Sequence, residues 1–325
     1  MQNQTLNSSG QVHLSEPGLA GRRASDRFAR IFSYLLAAMP ILLTGVIALT
    51  FLFRSLPILR LHTLWDLISG STWVPSEGAF GFFPFILGTL WVTIIGITLA
   101  VVPCILTALY LSEYARPRFT AVMKPLLDIM AAIPSVVYGV WGMIAIVPFV
   151  QKINPIANRF LGFIPIFRSS NPTGFSILAG GIVLAVMVTP FIIAVAYEVL
   201  SVVPDGLRKA SLAVGATKWQ TIKYGVFPQA LPGLIASIVL GASRALGETM
   251  AVMMVVGNVA KVPVSIFDAA YPLPALIANN YGEMLSIPLY DSALMMAAVL
   301  LLVIIIFFNV LSALLLRRIV RLGWL

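Results

Sequence analysis

Six long apolar runs separated by shorter polar stretches dominate the chain, at residues 31–53, 82–111, 125–150, 175–200, 231–257 and 292–316. Within these runs apolar positions follow one another without the alternation of a half-buried strand, as in helices apolar all round. At about 1.5 Å per residue, each run is long enough to cross roughly 30 Å of hydrocarbon. The pattern predicts an all-α integral membrane protein with six transmembrane helices. Residues 1–30 are polar and read as a disordered or partly helical tail, followed by a transmembrane domain over 31–325. The first run is too long for the apolar segment of a signal peptide. Pro134 and Gly139 within the third run predict a kinked helix. Loops are expected at 54–81, 151–174 and 258–290.

Composition agrees: 59% of residues are hydrophobic and 10% charged, where a soluble domain carries about a quarter. The net charge of +9 would suggest a nucleic-acid partner, but its distribution points elsewhere. Of the 21 Lys and Arg residues, fourteen lie in the N-terminal tail, at 113–124, at 201–228 and in the C-terminal RRIVRLGWL, against six in the three opposite loops. By the positive-inside rule both termini and the 201–228 loop face the cytoplasm. Cys104, alone in an apolar run, reads as a packing residue. His13 and His62 lie in polar segments, and no nucleotide-cradling GxxxxGK[ST] loop, metal-ligand cluster or Ser/His/Asp set emerges. No enzyme chemistry, metal or cofactor is expected in the chain itself.

One polar stretch is too patterned for a linker. Residues 201–228 read SVVPDGLRKASLAVGATKWQTIKYGVFP. Pro204 and Asp205 suit a first helical turn, and Leu207, Ala210 and Val214 share one helical face. Gly215 is a natural left-handed stop. Thr217 and Gln220 form a capping box for a second helix through Trp219, closed at Pro228. A helix–Gly–helix element at a membrane face suits either docking of another protein or a surface helix on lipid headgroups.

Two charges lie inside the fifth run. Arg244 sits about a dozen residues from either end and Glu248 one turn on, at the spacing of an intrahelical pair. Small residues surround them, leaving room for a ligand or a close neighbour helix. In the third run Pro134 frees a backbone carbonyl, and Ser135 and Tyr138 offer hydroxyls near it, while Gly139 and Gly142 allow close helix approach. Asp128 lies one turn from Lys124 and reads as an interfacial pair or a helix-start charge.

The patterned loop resembles the EAA loop of ABC importer permeases: Lys209-Ala210-Ser211 stands for E-A-A, Gly215 for its glycine, and Gly225-Val226-Phe227-Pro228 for I-x-L-P. AAIPSVVYG (131–139), SRALGETMAVMMVVGN (243–258) and PALIANNYGE (274–283) are similar to segments of the PstC-type permeases of the bacterial phosphate-specific transport system. That resemblance implies a type I ABC importer permease fold with a cytoplasmic coupling helix between the fourth and fifth spans, in the bacterial inner membrane. It implies a second, PstA-type permease, two ATPase subunits carrying ATP and Mg²⁺, and an extracytoplasmic phosphate-binding protein. Leu207, Ala210, Ser211, Gly215, Ala216, Thr217 and Trp219 would then couple to the ATPase, and Arg244, Glu248, Ser135 and Tyr138 would line the substrate pathway. The alternatives are a permease for sulfate or molybdate, or an ion-coupled secondary transporter acting alone.

Overall fold

The structure is a computed structural model that describes residues 17–282 and 287–321. Most of the expected polar tail, the Glu283 end of the 274–283 stretch and the last four residues of the C-terminal tail lie outside the described residues. The chain divides into two units, residues 1–53 and 54–325. Among the described residues six helical runs are long and apolar enough to cross a membrane: Arg27–Leu59, Phe83–Tyr114, Ser135–Leu161, Ile177–Ser201, Lys218–Leu246 and Tyr290–Arg318.

The first unit is the greater part of helix α1, Pro17–Leu59. The helix begins well before residue 31, so the basic stretch expected as tail is helical from Pro17 onward. Ser33, Thr44 and Thr50 each donate a hydroxyl proton to the carbonyl four residues back, at 2.8 Å, which satisfies them inside an apolar helix.

In the second unit, short α2 (Leu64–Ser69), capped by Thr63, leads into a two-stranded hairpin of β1 (Trp73–Val74) and β2 (Ala79–Phe80). Trp73 is the centre of an aromatic cluster, with ring centroids 4.9 Å from Phe85, 5.5 Å from Phe80 and Phe82 and 6.2 Å from Tyr290. The expected 54–81 loop is therefore a packed cap. Helix α3 (Phe83–Leu109) continues through one π-helical turn at Tyr110–Tyr114, and α4 spans Pro117–Ala132.

The third span departs most from expectation. Instead of one kinked helix over 125–150, α4 stops and a new run begins at Ser135: α5 (Ser135–Trp141), a π turn at Gly142–Ile146, and α6 (Val147–Leu161). Pro134 is the cause. It supplies no N–H, and its ring forces Ile133 out of the helical region, to φ −60°, ψ 129°. Helix α7, Ile177–Ser201, is the central element. It packs closely on α3: a Cβ on Gly96 would lie 3.0 Å from Leu184 Cδ2 and 3.2 Å from the Gly181 carbonyl oxygen. In lipid, such close backbone approach replaces the hydrophobic drive that associates helices in water. Cys104, Val183, Leu184 and Val188 are fully buried at this seam.

Helix α8 (Asp205–Ala213) and α9 (Lys218–Thr221) form the expected helix–Gly–helix element. Pro228 does not close the second helix. Instead, α9 passes through a π turn, Ile222–Val226, into α10 (Phe227–Leu246). Pro228 falls at the start of α10, where the wide turn accommodates a residue without an N–H. The fifth span thus starts earlier than 231 and ends earlier than 257. Beyond it, α11 (Met250–Met253) is a single turn, α12 (Leu273–Asn280) lies within the expected 258–290 loop, and α13 runs Tyr290–Arg321.

Candidate functional site

The break at Ile133–Pro134 removes regular helical donors from the last turn of α4, where the Met130 carbonyl keeps a 3.3 Å bond from the Ile133 N–H. Tyr138, one turn into α5, donates its hydroxyl to the Met130 carbonyl at 2.8 Å. Arg244 donates from Nη2 to the Ala131 carbonyl at 3.5 Å, and its guanidinium lies 5.3 Å from the centroid of the Phe191 ring on α7. The third, fourth and fifth spans therefore meet at this break. Ser135 is half-buried, and among the described residues no partner bonds its hydroxyl. Gly139 and Gly142 lie where close approach is needed. A Cβ on Gly139 would meet Met254 Sδ at 2.7 Å and Ala251 Cα at 3.2 Å, and one on Gly142 would meet Val183 Cγ2 at 2.4 Å.

Arg244 and Glu248 do not form the intrahelical pair that their spacing suggested. Helix α10 ends at Leu246 with Gly247 as its C-cap, so Arg244 lies in a last turn instead of mid-helix. Its charge is offset by the carbonyl end of its own helix, by Ala131 and by the Phe191 ring. Glu248 instead accepts the Ala251 N–H on Oε1 at 3.2 Å, which satisfies one orphan donor of α11. Its crevice is lined by Thr89, Thr93 and Pro272. Lys124 likewise pairs with Glu198 of α7 at 2.9 Å, over the Tyr197 ring, instead of with Asp128.

The patterned loop is built largely as its residues dictate. Gly215 adopts φ +86°, and Thr217 and Gln220 make both bonds of the capping box. Ser211 Oγ and Thr221 Oγ1 join α8 to α9 at 2.9 Å. The expected apolar face splits: Leu207 packs inward against Gly225, whereas Val214, past the helix end, is 85% exposed. Ala210, Gly215, Thr217 and Trp219 are exposed; Ser211 and Ala216 are half-buried. Leu212, Val214 and Trp219 thus present apolar side chains from an otherwise polar element.

One pair escaped the sequence reading. Arg208 of α8 reaches Glu113 in the π turn after α3, with Nη2 2.7 Å from Oε1 and Nε 3.2 Å from Oε2. The same guanidinium donates to the Leu200 carbonyl at 3.0 Å, to the Val203 carbonyl, and to Asp205 at 3.3 Å. Hydrogen bonding to Glu113 pushes Arg208 further above the usual arginine range. The one available signal was that Glu113 is the sole acid between Leu111 and Lys124; nothing in the pattern ties it to a position 95 residues on.

The chain matches the family of binding-protein-dependent transport system inner membrane components over residues 104–321. It is 38% identical to a probable ABC transporter permease protein, YqgH, of Bacillus subtilis, over 67% of this chain and 66% of that protein. It is 33% identical to the phosphate transport system permease protein PstC of Pasteurella multocida, over 91% of each. The inward-facing MetNI methionine ABC transporter shares its fold, with a TM-score of 0.51 at 21% identity over 71% of this chain and 93% of that one. With six apolar helices, a helical element between the fourth and fifth, and a match of this extent, the chain belongs to the binding-protein-dependent transport system inner membrane components, as a multi-pass ABC permease subunit of the PstC type.

Proposed function

We propose that this chain forms half of the membrane pathway of an ATP-driven importer of inorganic phosphate. The observation that carries the substrate is the similarity, over nine-tenths of both chains, to a phosphate transport system permease. The chemistry of the broken span supports it. Arg244 carries five donors in a planar fork suited to an oxyanion. A single bond of 3.5 Å leaves most of them for substrate. Glu248 has Oε1 turned to Ala251, leaving Oε2 to accept the proton of a hydrogen phosphate. Sulfate, fully ionised at neutral pH, has no proton to offer and would face an unpaired carboxylate. Tyr138 and Ser135 stand at the adjacent break and complete the lining.

In the same reading both termini and the α8–α9 loop face the cytoplasm of a bacterial inner membrane. One of two ATPase subunits, holding ATP and Mg²⁺, docks on Leu207, Ala210, Ser211, Gly215, Ala216, Thr217 and Trp219. A PstA-type permease completes the pathway, and an extracytoplasmic phosphate-binding protein delivers the anion. The test is uptake of labelled phosphate by cells carrying Arg244→Gln or Glu248→Gln, alongside copurification of the ATPase. Arg244→Gln should abolish uptake in an assembled complex. Glu248→Gln should impair phosphate uptake and let sulfate compete better. Normal import by both assembled variants would refute the assignment.

A further inference from the structure

Helix α8 has no fully buried residue. Its attachment to the transmembrane bundle rests on Leu207 packed against Gly225, the Ser211–Thr221 bond, and the guanidinium of Arg208. That guanidinium is the most connected group of the three. It takes both oxygens of Glu113 at the end of α3, the Leu200 carbonyl in the last turn of α7 and the Val203 carbonyl in the connection to α8. The pair is also shielded. The side chains of Arg208 and Glu113 are 18% and 6% exposed, whereas those of Arg54–Asp291 and Lys124–Glu198 are between 35% and 64% exposed. An exposed pair yields readily to water and salt, but a shielded, fork-bonded one holds a fixed geometry, and removing one partner strands the other charge.

We propose that Arg208 and Glu113 form a strut that makes α8 move as one body with the ends of α3 and α7, so that a displacement imposed on α8 is transmitted into the bundle. The inference rests on the reading of α8 as the element gripped by the ATPase. The mechanical reason is local. Without the strut, a push on a nine-residue helix held chiefly by Leu207 is absorbed by tilting that helix. With it, the push reaches α3 and α7, which pack closely along a glycine-lined seam. Helix α7 also carries Phe191, on which Arg244 lies. The π turn at Tyr110–Tyr114 belongs to the same device, because it re-aims the end of α3 where Glu113 must face Arg208. Arg208 and Glu113 are positioning residues: neither needs to touch substrate or nucleotide.

Two conservative variants test this, Glu113→Gln, which keeps shape and loses charge, and Arg208→Lys, which keeps charge and loses the fork. In proteoliposomes holding the full complex, both should retain the ATPase and hydrolyse ATP. Phosphate imported per ATP should fall about tenfold, within the roughly 5–150-fold range of ordinary coupling between sites. A second measurement needs no partner. In the full chain alone, on a Cys104→Ser background, nitroxides at exposed Tyr110 and Leu212 should give a narrow distance distribution that broadens in both variants. An unchanged import-to-hydrolysis ratio, an unchanged distance distribution, or loss of the ATPase from the variant complexes would each overturn the strut. If the unsubstituted complex imports no phosphate, the functional reading fails instead, and the nitroxide distances alone decide whether the strut exists.

Discussion

The Tyr138 hydroxyl bonds the Met130 carbonyl across a break in its own span, at 2.8 Å. A proline at 134 removes the N–H that this carbonyl would accept in a regular helix; the Ile133 N–H reaches it at 3.3 Å, and the tyrosine one turn later adds a second, shorter bond. The residue is 7% exposed, so water is a poor replacement. Tyr138→Phe should therefore destabilise the detergent-solubilised chain by about 0.6 kcal/mol, the average of hydrogen bonds measured between membrane helices, and by no more than about 1.7 kcal/mol. Uptake should fall as well, since the break is where Arg244 is held. Thermal unfolding and transport assays read the two effects, and a variant unchanged in both would remove Tyr138 from the site.

Close packing around Gly142 yields a prediction with an internal control. An added Cβ would lie 2.4 Å from Val183 Cγ2 but 3.6 Å from Val183 Cβ. Valine is stiff at χ1 and cannot swing away, so Gly142→Ala should cost about 1–3 kcal/mol, as overpacking does elsewhere. At Gly139 the nearest atom is the sulfur of flexible Met254, at 2.7 Å, so Gly139→Ala should cost less. Val183→Ala removes the 2.4 Å contact and leaves the one to Val255 Cγ1 at 3.0 Å, so the Gly142→Ala, Val183→Ala double variant should recover part of the loss in a melting series. A double variant no more stable than Gly142→Ala alone would mean that the clash lies elsewhere.

The sequence made some of this plain and hid the rest for physical reasons. Apolar run length set the number of spans, because bilayer thickness is a strong external constraint. The Thr217–Gln220 box and the left-handed turn at Gly215 were legible because their bonds are local. Break positions were less so. Pro134 was readable as a kink, but whether a proline bends or severs a helix depends on what bonds the freed carbonyls, and one of those donors, Arg244, comes from another span. Pro228 failed as a stop because a π turn just before it absorbs its missing N–H. The Arg244–Glu248 spacing suggested a pair only while the helix was taken as continuous, and Gly247 ends it between them. Arg208 and Glu113 were invisible because their contact depends on how three helix ends converge.

Gly215 offers the cleanest test of the α8–α9 element, since backbone conformation and steric room can be separated there. Its φ is +86°, a region that disfavours residues with a Cβ, β-branched ones most. Yet a Cβ built at this position meets nothing within 4 Å. Any cost of substitution therefore comes from the turn and not from collision. Left-handed backbone costs a residue with a Cβ about 1–2 kcal/mol, and asparagine tolerates it better than valine. The turn also fixes the angle between α8 and the capped start of α9, and with it the spacing of Ala210, Val214 and Trp219 on the exposed face. Gly215→Val should thus leave the six spans inserted and the melting of the bundle close to that of the parent, because the turn is remote from the α3–α7 seam. It should lose the copurifying ATPase and with it transport. Gly215→Asn should retain both in large part. Equal assembly and uptake in the valine and asparagine variants would show that the ATPase does not read the geometry of this turn.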